Sequence, residues 1–181
     1  MSRPSPLAVT RRLVLDTNVV LDLVVFRDAG VVPLVHALDS GGAIAVTSRA
    51  CLEELRRVLG YARLKLDHVA QSRALREYLA RVALLDVPDH GVGADLPLCT
   101  DPDDQKFLEL AWHAGAHALI TKDRALLRLA RGLAYSGRFD VFPPERFQAP
   151  APRRDYAAAG SGSVFAEARR VEDRYPAVFH A

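Results

Sequence analysis

Cysteine is scarce in this chain of 181 residues, and the two present, Cys51 and Cys99, fit no metal-binding spacing. Cys51 falls within a helical pattern and reads as a small buried hydrophobe rather than half of a disulfide. A reducing, cytoplasmic location is therefore expected. Long apolar runs are missing. No stretch approaches about 18 uninterrupted apolar residues, so no membrane-spanning helix is expected. The opening MSRPSPLAVTRR has no apolar run of signal-peptide length. His36, His68, His90, His113 and His117 show no paired spacing on a common face, and Gly115 separates the last two. That argues against a histidine metal site. No internal repeat and no exposed aromatic pattern for base stacking is visible. Charge of one sign is not in excess either. Lys and Arg number 24, Asp and Glu 22, for a net charge of +2. Such a balance neither requires nor excludes a nucleic-acid partner, because a local basic patch exists at any net charge.

What the chain does hold is apolar residues, half of the total, enough for one sizeable domain. Residues 1–10 read as a loose N-terminal lead and 11–147 as the domain. Residues 148–181 read as a linker with a C-terminal tail, where a short helix over 164–175 is expected. The periodicity predicts strands at Leu13–Leu15, Ala43–Val46, Ala83–Val87, Ala118–Thr121 and Phe139–Phe142, with helices between them. Asn18, Thr47 or Ser48, Asp67 and Asp101 are candidate helix caps. The helix after Asp67 is expected over about His68–Arg81, packing through Val69, Leu75, Tyr78, Leu79 and Val82. Strands alternating with helices predict an α/β fold. The architecture expected is a three-layer α/β/α sandwich around a mostly parallel sheet of four to five strands.

The acids recur at corresponding places. Asp16 and Asp123 follow strands. Glu54 and Asp104 lie on helices beside them. The third helix has an apolar stripe of Cys51, Leu52, Leu55, Val58 and Leu59, with Glu53 opposite and Glu54 at its edge. Asp104, three residues before Phe107, sits on the apolar side of its helix. In an open parallel sheet these places can meet at the carboxyl ends of the strands, where ligands bind. Caps and surface ion pairs are the competing reading. If the four carboxylates do converge, they require a cation. Oxygen ligands without His or Cys suit Mg²⁺ or Mn²⁺. Such an ion suits hydrolysis of a phosphodiester. An aspartyl-nucleophile phosphatase is disfavoured, because Asn18 stands where such enzymes carry a second aspartate. Asp22, one helical turn below the rim, reads as the ion-pair partner of an arginine, and Asp101 and Asp103 as helix-start acids.

The ordered set of LDTNVVLDLVVFRD at 15–28, the Ser48–Glu54–Leu55 helix, DPDDQKFLELAWHAGAHALITKD at 101–123 and the closing FDVFPPERF resembles the PIN-domain (PilT N-terminus-like) family. The resemblance is to the branch grouped with toxin components of bacterial type II toxin–antitoxin systems, and covers about Arg12 to Phe147. It implies a Mg²⁺- or Mn²⁺-dependent endoribonuclease that leaves a 5′-phosphate and a 3′-hydroxyl. It also implies an antitoxin protein and a second copy of the chain as partners. The family's acids carry over to Asp16, Glu54, Asp104 and Asp123, as catalytic residues and metal ligands. Thr17, Asn18 and Thr121 would support them from behind. Lys122, Arg124, Lys106 and Arg49 are the candidates for holding RNA. A PIN fold that binds RNA or protein without cutting is the alternative.

Overall fold

The computed structural model describes residues 11–87, 96–135 and 137–148. The N-terminal lead, most of the Pro88–Cys99 loop and the tail helix expected at 164–175 lie outside them. Among the described residues, five strands form one parallel sheet: β1 (Arg11–Leu15), β2 (Ala43–Thr47), β3 (Val82–Leu84), β4 (Ala118–Ile120) and β5 (Asp140–Phe142), in the order β3-β2-β1-β4-β5. Six α-helices are found among the described residues: α1 (Thr17–Leu21), α2 (Val32–Asp39), α3 (Arg49–Leu59), α4 (His68–Leu79), α5 (Gln105–His113) and α6 (Arg124–Tyr135).

The period of two along each strand builds two cores. Leu13, Leu15, Ala45 and Ile120 face one core, filled by α1, α2, α4 and most of the α3 stripe. Val14, Val46, Leu119 and Val141 face the other, filled by α5, α6 and Cys51. Both faces of the sheet are covered, which is why its strands read as near-continuous apolar runs. The result is the three-layer α/β architecture expected from the sequence.

Several local details differ from the sequence reading, each for a physical reason. Helix α1 is capped by Asp16, whose carboxylate accepts from the Asn18 N–H, and not by Asn18. It runs on as a turn of π-helix, Asp22–Phe26, which ends at Arg27 with a left-handed φ of 55°. The Arg27 guanidinium then bonds the Leu23 carbonyl and both oxygens of Glu77 on α4, locking that corner. Val69, expected to pack, is 74% exposed on the outer side of α4. Helix α4 stops at Leu79 rather than Arg81. Asp101 does cap its segment, but the first turn, Pro102–Asp104, is 3₁₀, and α5 proper begins at Gln105. Ser48, not Thr47, caps α3 by accepting from the Cys51 N–H.

Candidate metal-dependent active site

Strand β1 pairs with β2 on one side and β4 on the other, so the strand order reverses at β1. The crevice at the carboxyl end of such a strand is the natural ligand position of an open α/β sheet. Asp16 is the first residue past β1 and sits in that crevice. Its backbone N–H donates to the Ile120 carbonyl at 3.0 Å, continuing the ladder by one step. The side chain is buried, with 3% residue exposure. Its Oδ2 accepts from Thr121 Oγ1 at 2.8 Å and its Oδ1 from the Asn18 N–H at 3.3 Å. No basic side chain pairs with it among the described residues.

Thr121 holds two acids at once. Fully buried, it donates to Asp16 and accepts from the Asp123 N–H at 2.9 Å. Asp123 in turn caps α6, its Oδ1 accepting from Ala125 N–H at 2.6 Å and Leu126 N–H at 3.1 Å. One carboxylate oxygen of Asp123 is thus committed to the helix, and Oδ2 accepts no hydrogen bond among the described residues. Asp104 ends the 3₁₀ turn before α5, half-buried. Glu54 leans from the edge of α3, its side chain 15% exposed, while Glu53 points outward and pairs with Arg49 at 2.9 Å.

The electrostatics show how closely these acids share one region. Burial, followed by the charges of Asp16, Asp123, Asp101 and Glu54, pushes the Asp104 carboxyl up to about 6. Burial also raises Asp16. Its bonds from Thr121 and Asn18 oppose that rise, and the charges of Glu54 and Asp123 add to it. The charges of Asp16, Glu54 and Asp123 all act on Asp104, so the four acids lie around one end of the sheet. Among the described residues, no group of three or more His, Cys, Asp or Glu side chains is drawn together closely enough to hold a metal ion as it stands. The fit to a cation lies in the donor chemistry and the uncompensated charge: hard carboxylate oxygens that repel one another, with Asp16 buried and unpaired. Two cysteines flank the cluster, and burial raises both thiols, so they stand by as neutral groups.

The basic candidates fare unevenly. Lys106 is turned inward. Its ammonium pairs with Glu54 and donates to the Asp103 carbonyl. Lys122 pairs with buried Asp22 at 2.5 Å, the only partner of that Asp22 oxygen among the described residues. Asp22 therefore has a structural partner, a lysine where the sequence suggested an arginine. Arg49 is tied to Glu53 on the surface. Arg124, exposed and next to Asp123, makes no ion pair among the described residues. Thr17 is buried in the first turn of α1, and Asn18 is exposed and serves through its backbone N–H. Sequence reasoning missed the Lys106–Glu54 and Lys122–Asp22 pairs. No local signal reveals them, since each joins residues far apart in the chain.

The PIN_3 family model, described as PIN domain, matches residues 12–125, well over half of the chain. No curated protein matches the sequence.

Proposed function

Because the chain belongs to the PIN-domain family, a nuclease fold that generally works with divalent metal ions, we propose that it is a Mg²⁺- or Mn²⁺-dependent endoribonuclease. The observation that carries this reading is the set of four carboxylates around the end of β1, left without enough positive charge to balance them. Such crowding is unfavourable in the resting protein and useful only when a cation arrives.

Asp16 and Asp104 are assigned as the direct ligands, with Asp123 and Glu54 completing the shell or holding ion-bound water. The ion would supply a more acidic water and stabilise charge developing on the phosphate. The protein's own part is orientation. Thr121 fixes the Asp16 carboxylate and the backbone of Asp123, whose own carboxylate is held by the first turn of α6. Asn18 fixes the second oxygen of Asp16. Arg124, exposed and next to Asp123, would hold a phosphate there without neutralising the acids. A water adds to phosphorus in line while the bond to the 3′ oxygen breaks, giving a 5′-phosphate and a 3′-hydroxyl. No helix among the described residues is long and apolar enough to cross a membrane. A cytoplasmic role against RNA, in a toxin–antitoxin pair with an antitoxin and a second copy as partners, fits this reading.

The test is cleavage of labelled single-stranded RNAs by the purified chain in Mg²⁺, in Mn²⁺ and in EDTA, with the product ends identified. Cutting that needs the ion and leaves 5′-phosphates is the expected result. A folded chain that binds RNA and leaves it intact under every condition would replace this reading with the non-cutting binding module.

A further inference from the structure

From Arg124 to Phe139 the chain carries four arginines and no acid. One of them, Arg138, stacks on Trp112 at 3.4 Å from the ring centre. The other three, Arg124, Arg128 and Arg131, lie on α6 with exposed side chains and no ion pair among the described residues. At about 100° per residue they fall within about 60° of one another. They extend over about 10 Å of helix axis. The opposite side of α6 is fixed to the core by Leu126 and Leu133, at 0% and 1% exposure. The arginine stripe therefore cannot turn inward.

A solvated helix face usually mixes signs at i,i+4, because opposite charges there stabilise and like charges destabilise by a few tenths of a kcal/mol. This face places Arg124 and Arg128 at i,i+4, and Arg128 and Arg131 at i,i+3, with no acid between. The arrangement is mildly unfavourable until an anion covers it. It also begins one residue after Asp123, so a ligand on it is continuous with the acidic site. Regularly spaced guanidinium groups in a line suit a polymer with one negative charge per unit, which they bind through bidentate bonds to phosphate.

We propose that the Arg124–Arg128–Arg131 stripe is the track along which the backbone of a single-stranded RNA runs out of the acidic site. The proposal rests on the nuclease reading and adds the path of the substrate. Binding along the track is independent of base sequence, because arginine–phosphate bonds place a strand without reading it. Each phosphate neutralised on a single strand contributes about −0.7 to the slope of log affinity against log salt.

The experiment uses the full chain carrying Asp104→Asn, in EDTA, so that RNA stays intact. Fluorescence anisotropy with an end-labelled single-stranded RNA is followed across a series of KCl concentrations. The same chain with Arg124→Ala, Arg128→Ala and Arg131→Ala is expected to bind roughly tenfold or more weakly at about 0.1 M salt. Its slope should flatten by about 2. Lysines at the same three positions should restore most of both, which separates charge from damage to α6. An unchanged slope in the alanine variant, while the wild-type chain cuts RNA in Mn²⁺, would overturn the track and leave the nuclease standing. An Asp104→Asn chain that does not bind RNA, together with a wild-type chain that does not cut it in Mn²⁺, would overturn both. Preference of the stripe for a polyglutamate of equal charge over RNA would assign it to an acidic polypeptide and overturn the nucleic-acid assignment.

Discussion

Asp104 and Thr121 carry opposite roles in the same cluster. Asp104 is held as an acid whose carboxyl rises to about 6 through burial and four neighbouring carboxylates. A raised carboxyl binds its proton more tightly folded than unfolded. It therefore favours folding at acid pH, and that contribution is lost as pH rises through the window from 3.8 to about 6. Asp16, raised for the same leading reason, acts in the same direction. Asp104→Asn should accordingly raise the melting temperature of the metal-free chain at about pH 7.5, by roughly 2–4 °C, and much less at about pH 4. Thermal melts in EDTA at both pH values check the sign. Protons also compete for the same oxygens, so Mn²⁺ affinity measured calorimetrically should fall as pH drops below about 6. Thr121→Val removes the donor to Asp16 and the acceptor for Asp123 N–H in a fully buried place. A loss of about 1–3 kcal/mol in denaturant unfolding is expected, with a lower cleavage rate even where the chain is folded. Full activity in that variant would show that Thr121 does not set the carboxylate geometry.

The secondary-structure elements explain why most of this was legible beforehand. Glu54 could be separated from Glu53 on the α3 wheel, because Cys51, Leu52, Leu55, Val58 and Leu59 define a stripe that the fold buries. Asp101 announced a helix start through its neighbours Pro102, Asp103 and Asp104. The π-turn at Asp22–Phe26 was not legible, because its register depends on Arg27 reaching Glu77 across to α4. Val69 misled because an apolar residue on the first turn of α4 lies outside the angle that packs. The pairing of Lys106 with Glu54 was hidden for the same kind of reason, since it depends on where α5 lies against α3. That pair has its own consequence. Both side chains are mostly buried, so Lys106→Met leaves Glu54 among like charges. The metal-free variant should be less stable by about 1–3 kcal/mol. Mn²⁺ should recover more of that loss than it adds to the wild-type chain. Equal loss with and without Mn²⁺, in parallel thermal melts, would mean that Lys106 only packs.

For the whole molecule, the parallel sheet reverses its strand order at the strand whose end carries Asp16. Glu54 on α3, Asp104 just before α5 and Asp123 just before α6 lie around that end, and α6 leads away from it with three exposed arginines. Stability is spent at the crevice and recovered in two cores built on residues such as Leu108 and Leu119, both fully buried. Leu108→Ala should lower stability by about 2–5 kcal/mol in denaturant unfolding, and the residual folded fraction should still cut RNA. The most direct measurement compares wild type and Asp104→Asn for Mn²⁺-dependent cleavage of a labelled single-stranded RNA, with the melting temperature recorded on the same preparations. A carboxylate cluster kept for catalysis should give a loss of about a hundredfold or more in rate, with a melting temperature equal to or above that of the wild type. Undiminished cleavage by Asp104→Asn, or a rate that falls only with its melting temperature, would contradict the assignment of these acids to a metal-dependent nuclease site.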